Sequence, residues 1–305
     1  MKNSNKTALF LVITFLLSWL VAAIIYFVAG GSMNSIIAIP LGVLFMFTPL
    51  AAVFIVEKLI YSSEIRQSLL ISFEINKWWL AAFAIPVALL LFTFVFNLAF
   101  PGVEYSREMD GLFGRLEALI SSEELEKARH DLENLPVHPA LLMLMQGIIA
   151  GATINTVAAF GEELGWRGFM VNQFRNMHFM KAALIIGFIW GIWHAPLILM
   201  GHNYAEHPQL GVGLMTIWCI LLSPLFLYIT VKTKSVVAAA VMHGVLNGTA
   251  NVATLLIKGG NDITNGATGM AGFIAAALVV LCLFVYDVLI SREKVMLRKT
   301  GANLI

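Results

Sequence analysis

The chain has 305 residues, 59% of them hydrophobic and 12% charged, with a formal net charge of +1. Soluble domains hold roughly 45–50% apolar and about 25% charged residues, so these proportions exclude a water-soluble globule and imply membrane spans. A charge near zero says nothing useful about nucleic acid, which is not expected as a partner of a chain of this class.

Apolar runs of about twenty residues match a hydrocarbon core about 30 Å thick at 1.5 Å per residue. They predict eight spans: Ala8–Val28, Ser35–Val56, Trp78–Phe100, Ala140–Phe174, Met180–Met200, Val212–Val231, Val236–Ile257 and Met270–Ile290. The fold class expected is all-α, a polytopic transmembrane helical bundle. The first run exceeds the roughly 7–15 apolar residues of a signal peptide and reads as a retained anchor. Between the third and fourth spans, Pro101–Pro139 is an outer loop rich in Glu and Asp. Ser121 and Glu124 form a capping-box pattern there, which predicts short surface helices over the bundle. This loop is read as a solvated cap and contributes no site residue.

Basic residues set the orientation. With the N-terminus in the cytoplasm, Lys2, Lys6, Lys58, Arg66, Lys77, Arg167, Arg175, Lys181, Lys232, Lys234, Arg292, Lys294, Arg298 and Lys299 lie on or toward the inner side. Only Arg107, Arg115, Lys127, Arg129 and Lys258 fall outside, so a multi-pass protein of the cell membrane with both termini cytoplasmic is expected. Small residues four apart, at Gly147/Gly151, Gly161/Gly165 and Gly187/Gly191, predict tight packing of the fourth and fifth spans. Cys219 and Cys282 lie within spans and read as small hydrophobes. Three segments follow: 1–139 with three spans and the acidic loop, 140–258 as a four-span core, and 259–305 with the last span and a basic tail.

The core carries the chemistry. Glu162 and Glu163 sit side by side in an apolar helix, where charge is costly and must be compensated. Glu163 and Arg167, four apart, share a helix face and can pair, whereas Glu162 is rotated about 100° away and can face another helix. His194 lies in the fifth span beside Pro196, which should kink the helix. His243 and Asn247, four apart in the seventh span, point the same way. Counted from Arg175, Lys181 and Lys234 at 1.5 Å per residue, Glu162, His194 and Asn247 lie about 20 Å deep and His243 about 14 Å. The four side chains can therefore meet in one layer.

Such a set suits hydrolysis. A Glu and a His can deprotonate water while a second His and an Asn donate to a developing oxyanion. The same residues can instead hold a divalent metal such as zinc, with Glu162, His194 and His243 as ligands. No His-Glu-x-x-His or Gly-x-Ser-x-Gly motif is present. Tyr286-Asp287 in the last span has no second intramembrane Asp to form a dyad and reads as a solvated or capping group.

These residues are similar to the three motifs of the CAAX prenyl endopeptidase and bacteriocin-processing (CPBP, formerly Abi) membrane proteins. The motifs stand here as Glu162-Glu163-x-x-x-Arg167, Trp190-x-x-x-His194 and His243-x-x-x-Asn247, each on its own predicted span. The likeness covers roughly Leu141 to Ile257, with Trp190 and Trp166 where that family usually has Phe. It implies Glu162 and His194 activating water, His243 and Asn247 forming the oxyanion site, and Glu163 with Arg167 as assisting partners. It leaves the cofactor open between none and a metal. The expectation is thus an intramembrane endopeptidase that cuts a peptide or membrane-protein substrate near the cytoplasmic leaflet of the lipid bilayer. The alternative class is non-enzymatic: an ion- or proton-coupled transporter, or a bacteriocin-immunity or scaffold protein.

Overall fold

The computed structural model describes residues 2–33, 35–117 and 119–303. Helix α1 (Lys2–Val28) is followed by α2 (Ala38–Met46) and α3 (Thr48–Phe54), which runs into a widened turn at Ile55–Ile60. Then come α4 (Trp78–Asn97) and, in the acidic loop, α5 (Asp110–Leu116) and α6 (Ser122–Glu133). The fourth span is one continuous path through α7 (Pro139–Ala150), α8 (Thr156–Glu163) and α9 (Met170–Gln173), with wide turns at Gly151–Asn155 and Leu164–Phe169. Beyond it lie α10 (Phe179–Trp193), α11 (Ala195–Leu199), α12 (Pro208–Thr233), α13 (Val236–Thr249), α14 (Val252–Leu255) and α15 (Met270–Leu289).

Among the described residues, seven helical segments are long and apolar enough to cross a membrane, not eight. The predicted fifth span is divided at His194: α10 has 15 residues, about 22 Å, and α11 starts afresh with Pro196 in its first turn. Proline cannot donate to the preceding turn, so the break falls at the site histidine. The second span bends in the same way at Phe47, just before Pro49.

The glycines mark which helices touch, and the pattern differs from the one expected. A Cβ on Gly151 would lie 2.6 Å from the Cα of Val245 in α13, and one on Gly187 would lie 2.7 Å from the Cα of Ile220 in α12. The fourth span therefore closes on α13 and the fifth on α12, rather than on each other.

Two ends of the bundle differ. At one end the acidic loop is stitched down by a two-stranded antiparallel pair, β1 (Glu104–Tyr105) with β2 (Ile257–Lys258). The Ser121–Glu124 capping box is formed there, as its sequence predicts. At the other end the chain is folded shut: the Phe179 amide donates to Arg298 O, and the Thr300 amide to Met177 O. Asp287 is fully buried at this end, accepting from Tyr228 Oη at 3.0 Å and from the Met296 amide at 2.8 Å. The solvated alternative for Asp287 is thereby replaced by an internal cap that fixes the tail.

Candidate active site

A cavity of about 1070 Å³ enters the bundle at the end that carries the acidic loop. Its inner wall includes Glu162 from α8, Trp190 and His194 from α10 and its end, and His243 and Asn247 from α13. The layer inferred from residue counting is thus assembled around one hollow, while Glu163 and Arg167 lie behind its wall.

Each group is held by its neighbours. Glu162 is 2% exposed, and its Oε2 accepts from Trp190 Nε1 at 2.9 Å. No protein donor among the described residues reaches Oε1, which leaves that oxygen for a ligand. His194 Nδ1 lies 2.8 Å from Trp190 O, and a carbonyl only accepts, so the proton sits on Nδ1 and Nε2 keeps its lone pair. Trp190 therefore positions both partners of the pair, one through its indole and one through its carbonyl. Asn247 is exposed to the cavity.

Behind the wall, Glu163 Oε1 accepts from Arg167 Nη1 at 3.1 Å and from His243 Nδ1 at 2.9 Å. Glu163 and Arg167 have no exposed surface. The guanidinium lies 4.4 Å from the Trp190 ring centroid and 4.5 Å from that of Phe226, an arrangement that favours a cation. The wide turn at Leu164–Phe169 directly follows the two glutamates and carries Arg167, a placement typical of such turns at functional positions. His243 is thus oriented by Glu163, a contact that the i, i+4 count did not reveal.

The aromatic wall is tied to the rest of the bundle. Trp193 Nε1 donates to Ser18 Oγ at 2.5 Å, and Ser18 also meets Thr48 Oγ1 at 2.5 Å. One hydroxyl of α1 thereby joins three helices next to His194.

The cavity is also lined by residues that the sequence did not single out. Asp110 and Arg115 of α5 reach its wall, so the acidic loop is part of the cavity and not only a solvated cap. Arg115 donates to Thr254 Oγ1 at 2.6 Å. His202, Glu206 and Asp262 line the mouth, and burial holds His202 below the ordinary imidazole value. The signal available was the short run Gly201-His202-Asn203-Tyr204-Ala205-Glu206-His207, dense in polar groups at a span end.

Among the described residues, the group of three ligand atoms lying within 4.8 Å of one another is Glu206, His207 and Asp262, not Glu162, His194 and His243. In the former trio Asp262 is already occupied, accepting from the Glu206 and His207 amides and from His207 Nδ1.

The acidic loop and the basic tail lie at opposite ends of the bundle, and the cavity is lined from the loop end.

Residues 140–249 match a family model described as type II CAAX prenyl endopeptidase, Rce1-like. A relative named CAAX prenyl protease 2, from Methanococcus maripaludis, is 30% identical over 131 residues, covering 40% of this chain and 46% of the relative. The chain thus matches less than half the length of that curated relative. The matched stretch, residues 140–249, is the one that holds Glu162, His194, His243 and Asn247, and over it the chain is similar to the Rce1-like CAAX prenyl endopeptidases.

Proposed function

We propose that the protein is an intramembrane endopeptidase in which Glu162 and His194 activate a water against a peptide carbonyl. The observation that carries this reading is the convergence of Glu162, His194, His243 and Asn247 on one cavity, with a charged brace behind them. Glu162 Oε1 and His194 Nε2 are the two acceptors left by their own hydrogen bonds, and together they can take a proton from water. Hydroxide adds to the carbonyl carbon, and the charge moves to the carbonyl oxygen. In this reading Asn247 Nδ2 and His243, which both line the cavity, donate to that oxygen. To donate from Nε2, His243 carries a second proton; the Glu163 carboxylate accepts from its Nδ1, and the two carboxylates Glu162 and Glu163 together balance Arg167 and the protonated His243 before the reaction. Collapse breaks the C–N bond, and the proton held by the Glu162–His194 pair passes to the leaving nitrogen.

The substrate is a peptide or the end of a membrane protein. The relative's name assigns CAAX prenyl proteins to that relative, and a prenylated substrate for this chain is tested with the rest. The experiment compares the membrane peptidome of cells expressing the wild type with that of cells expressing Glu162→Gln at equal abundance. New peptide ends confined to the wild type establish proteolysis and name the substrate; matching profiles overturn the reading.

A further inference from the structure

Two observations, one of charge and one of shape, fix the side from which the site is served. Of the nineteen lysines and arginines, Arg107, Arg115, Lys127, Arg129 and Lys258 stand at the end where the cavity opens. Apart from the buried Arg167, the others stand at the opposite end, around Lys58–Lys77, Arg175–Lys181, Lys232–Lys234 and the tail. The acidic loop is short enough for its basic residues to count, and acidic residues contribute little to orientation. The asymmetry places the closed, tail-bearing end in the cytoplasm.

The cavity wall is drawn from the other end. Met33, Asp110, His202, Ala205 and Asp262 line its mouth, and no residue of the segments 61–77, 174–178 or 290–303 lines it. From the tail side, the layer is blocked by the buried Arg167, Phe169 and Met170 and by the folded tail.

We infer that substrate reaches Glu162 from the non-cytoplasmic side, so that the peptide bonds cut belong to segments exported across the membrane or to the non-cytoplasmic ends of membrane proteins. This rests on the endopeptidase reading for the cutting but not for the access, and the two are separable by experiment. From the other side, access would have to pass the folded tail and the buried Arg167, Phe169 and Met170.

The test uses the full chain in intact cells, in a background of Cys219→Ala and Cys282→Ala. Ala205→Cys, exposed at the mouth, and Ile75→Cys, 81% exposed at the tail end, are each treated with a membrane-impermeant maleimide before and after permeabilisation. The expected result is that Ala205→Cys labels to the same extent in both conditions, and Ile75→Cys labels only after permeabilisation. Labelling of Ile75→Cys in sealed cells overturns the inference. So does a failure of Ala205→Cys to label in sealed cells while it labels after detergent denaturation. Neither outcome depends on activity. Correct labelling without Glu162-dependent peptide ends sinks the endopeptidase reading alone, and reversed labelling with such ends sinks the access inference alone.

Discussion

Glu162 and Glu163 are adjacent in sequence and similarly buried, yet they stand in different chemical regions. Glu162 faces the cavity with one oxygen held by Trp190 and the other available. Glu163 faces inward and is shared by Arg167 and His243. A helical step of about 100° separates a reacting surface from its brace. The difference teaches that residue type and burial do not assign a role here; what each carboxylate touches does.

The sharpest way to break the comparison is to remove charge from one side at a time. Glu162→Gln keeps size and leaves Arg167 and His243 paired, so the chain should fold with an unchanged melting temperature. General-base catalysis is worth about 10² to 10⁴ in rate, and a loss toward the upper end is expected in a peptide-release assay. Retention of the wild-type rate would return Glu162 to a structural role.

Arg167→Met acts on the brace. It leaves Glu163 charged and buried with only His243, and removing one member of a buried pair costs about 3–5 kcal/mol. Thermal unfolding in detergent should show this loss, with activity falling through the amount of folded protein. The double variant Arg167→Met with Glu163→Leu removes the orphaned charge and should recover much of the loss. If the double variant were no more stable than the single, the pair would not be what holds this wall.

Much of this division was readable beforehand, and for a definite reason. The spacing of Glu163 and Arg167 and of His243 and Asn247 is local, and helical geometry converts local spacing into shared faces. The depth of the layer followed because a span has a fixed rise per residue. Contacts between helices did not follow. The Glu163–His243 bond joins residues 80 apart, and the Trp190–Glu162 bond joins residues 28 apart. Hydropathy gives span length but not breaks; the division at His194 was legible instead from Pro196, which is expected to kink the helix there. Asp110 and Arg115 stayed hidden because a charged loop looks the same whether it faces water or a cavity.

Asn247 sharpens the comparison within the reacting surface. In the proposed mechanism Glu162 activates water and Asn247 does not, so truncating Asn247 should leave water activation intact while removing one donor to the oxyanion. Loss of one such donor costs about 10² to 10³ in kcat. Asn247→Ala should therefore lower kcat with little change in KM, measured on the substrate that the peptidome identifies. An effect on KM alone would place Asn247 in substrate binding.

Ser18 tests how far the brace extends beyond the matched core. Ser18→Ala removes the acceptor of Trp193 Nε1 and leaves a buried indole N–H unpaired, at a cost of about 1–3 kcal/mol. A lower melting temperature is expected, with a smaller change in rate, because Trp193 adjoins His194 without lining up a proton itself. An unchanged melting temperature would separate α1 from the support of the site.

The smallest effect expected is that of a chelator, and it bears on how the two regions work together. If a metal were the link between Glu162, His194 and His243, stripping it would stop the reaction and loosen all three. The hydrogen bonds supply another link: Trp190 holds Glu162 and His194, while Glu163 holds His243, so the three side chains are oriented without one. Exhaustive dialysis against a chelator should then leave the peptidase rate unchanged. A loss that zinc restores in the wild type would show that these ligands gather on substrate binding, and would replace water activation by Glu162 with activation by the metal.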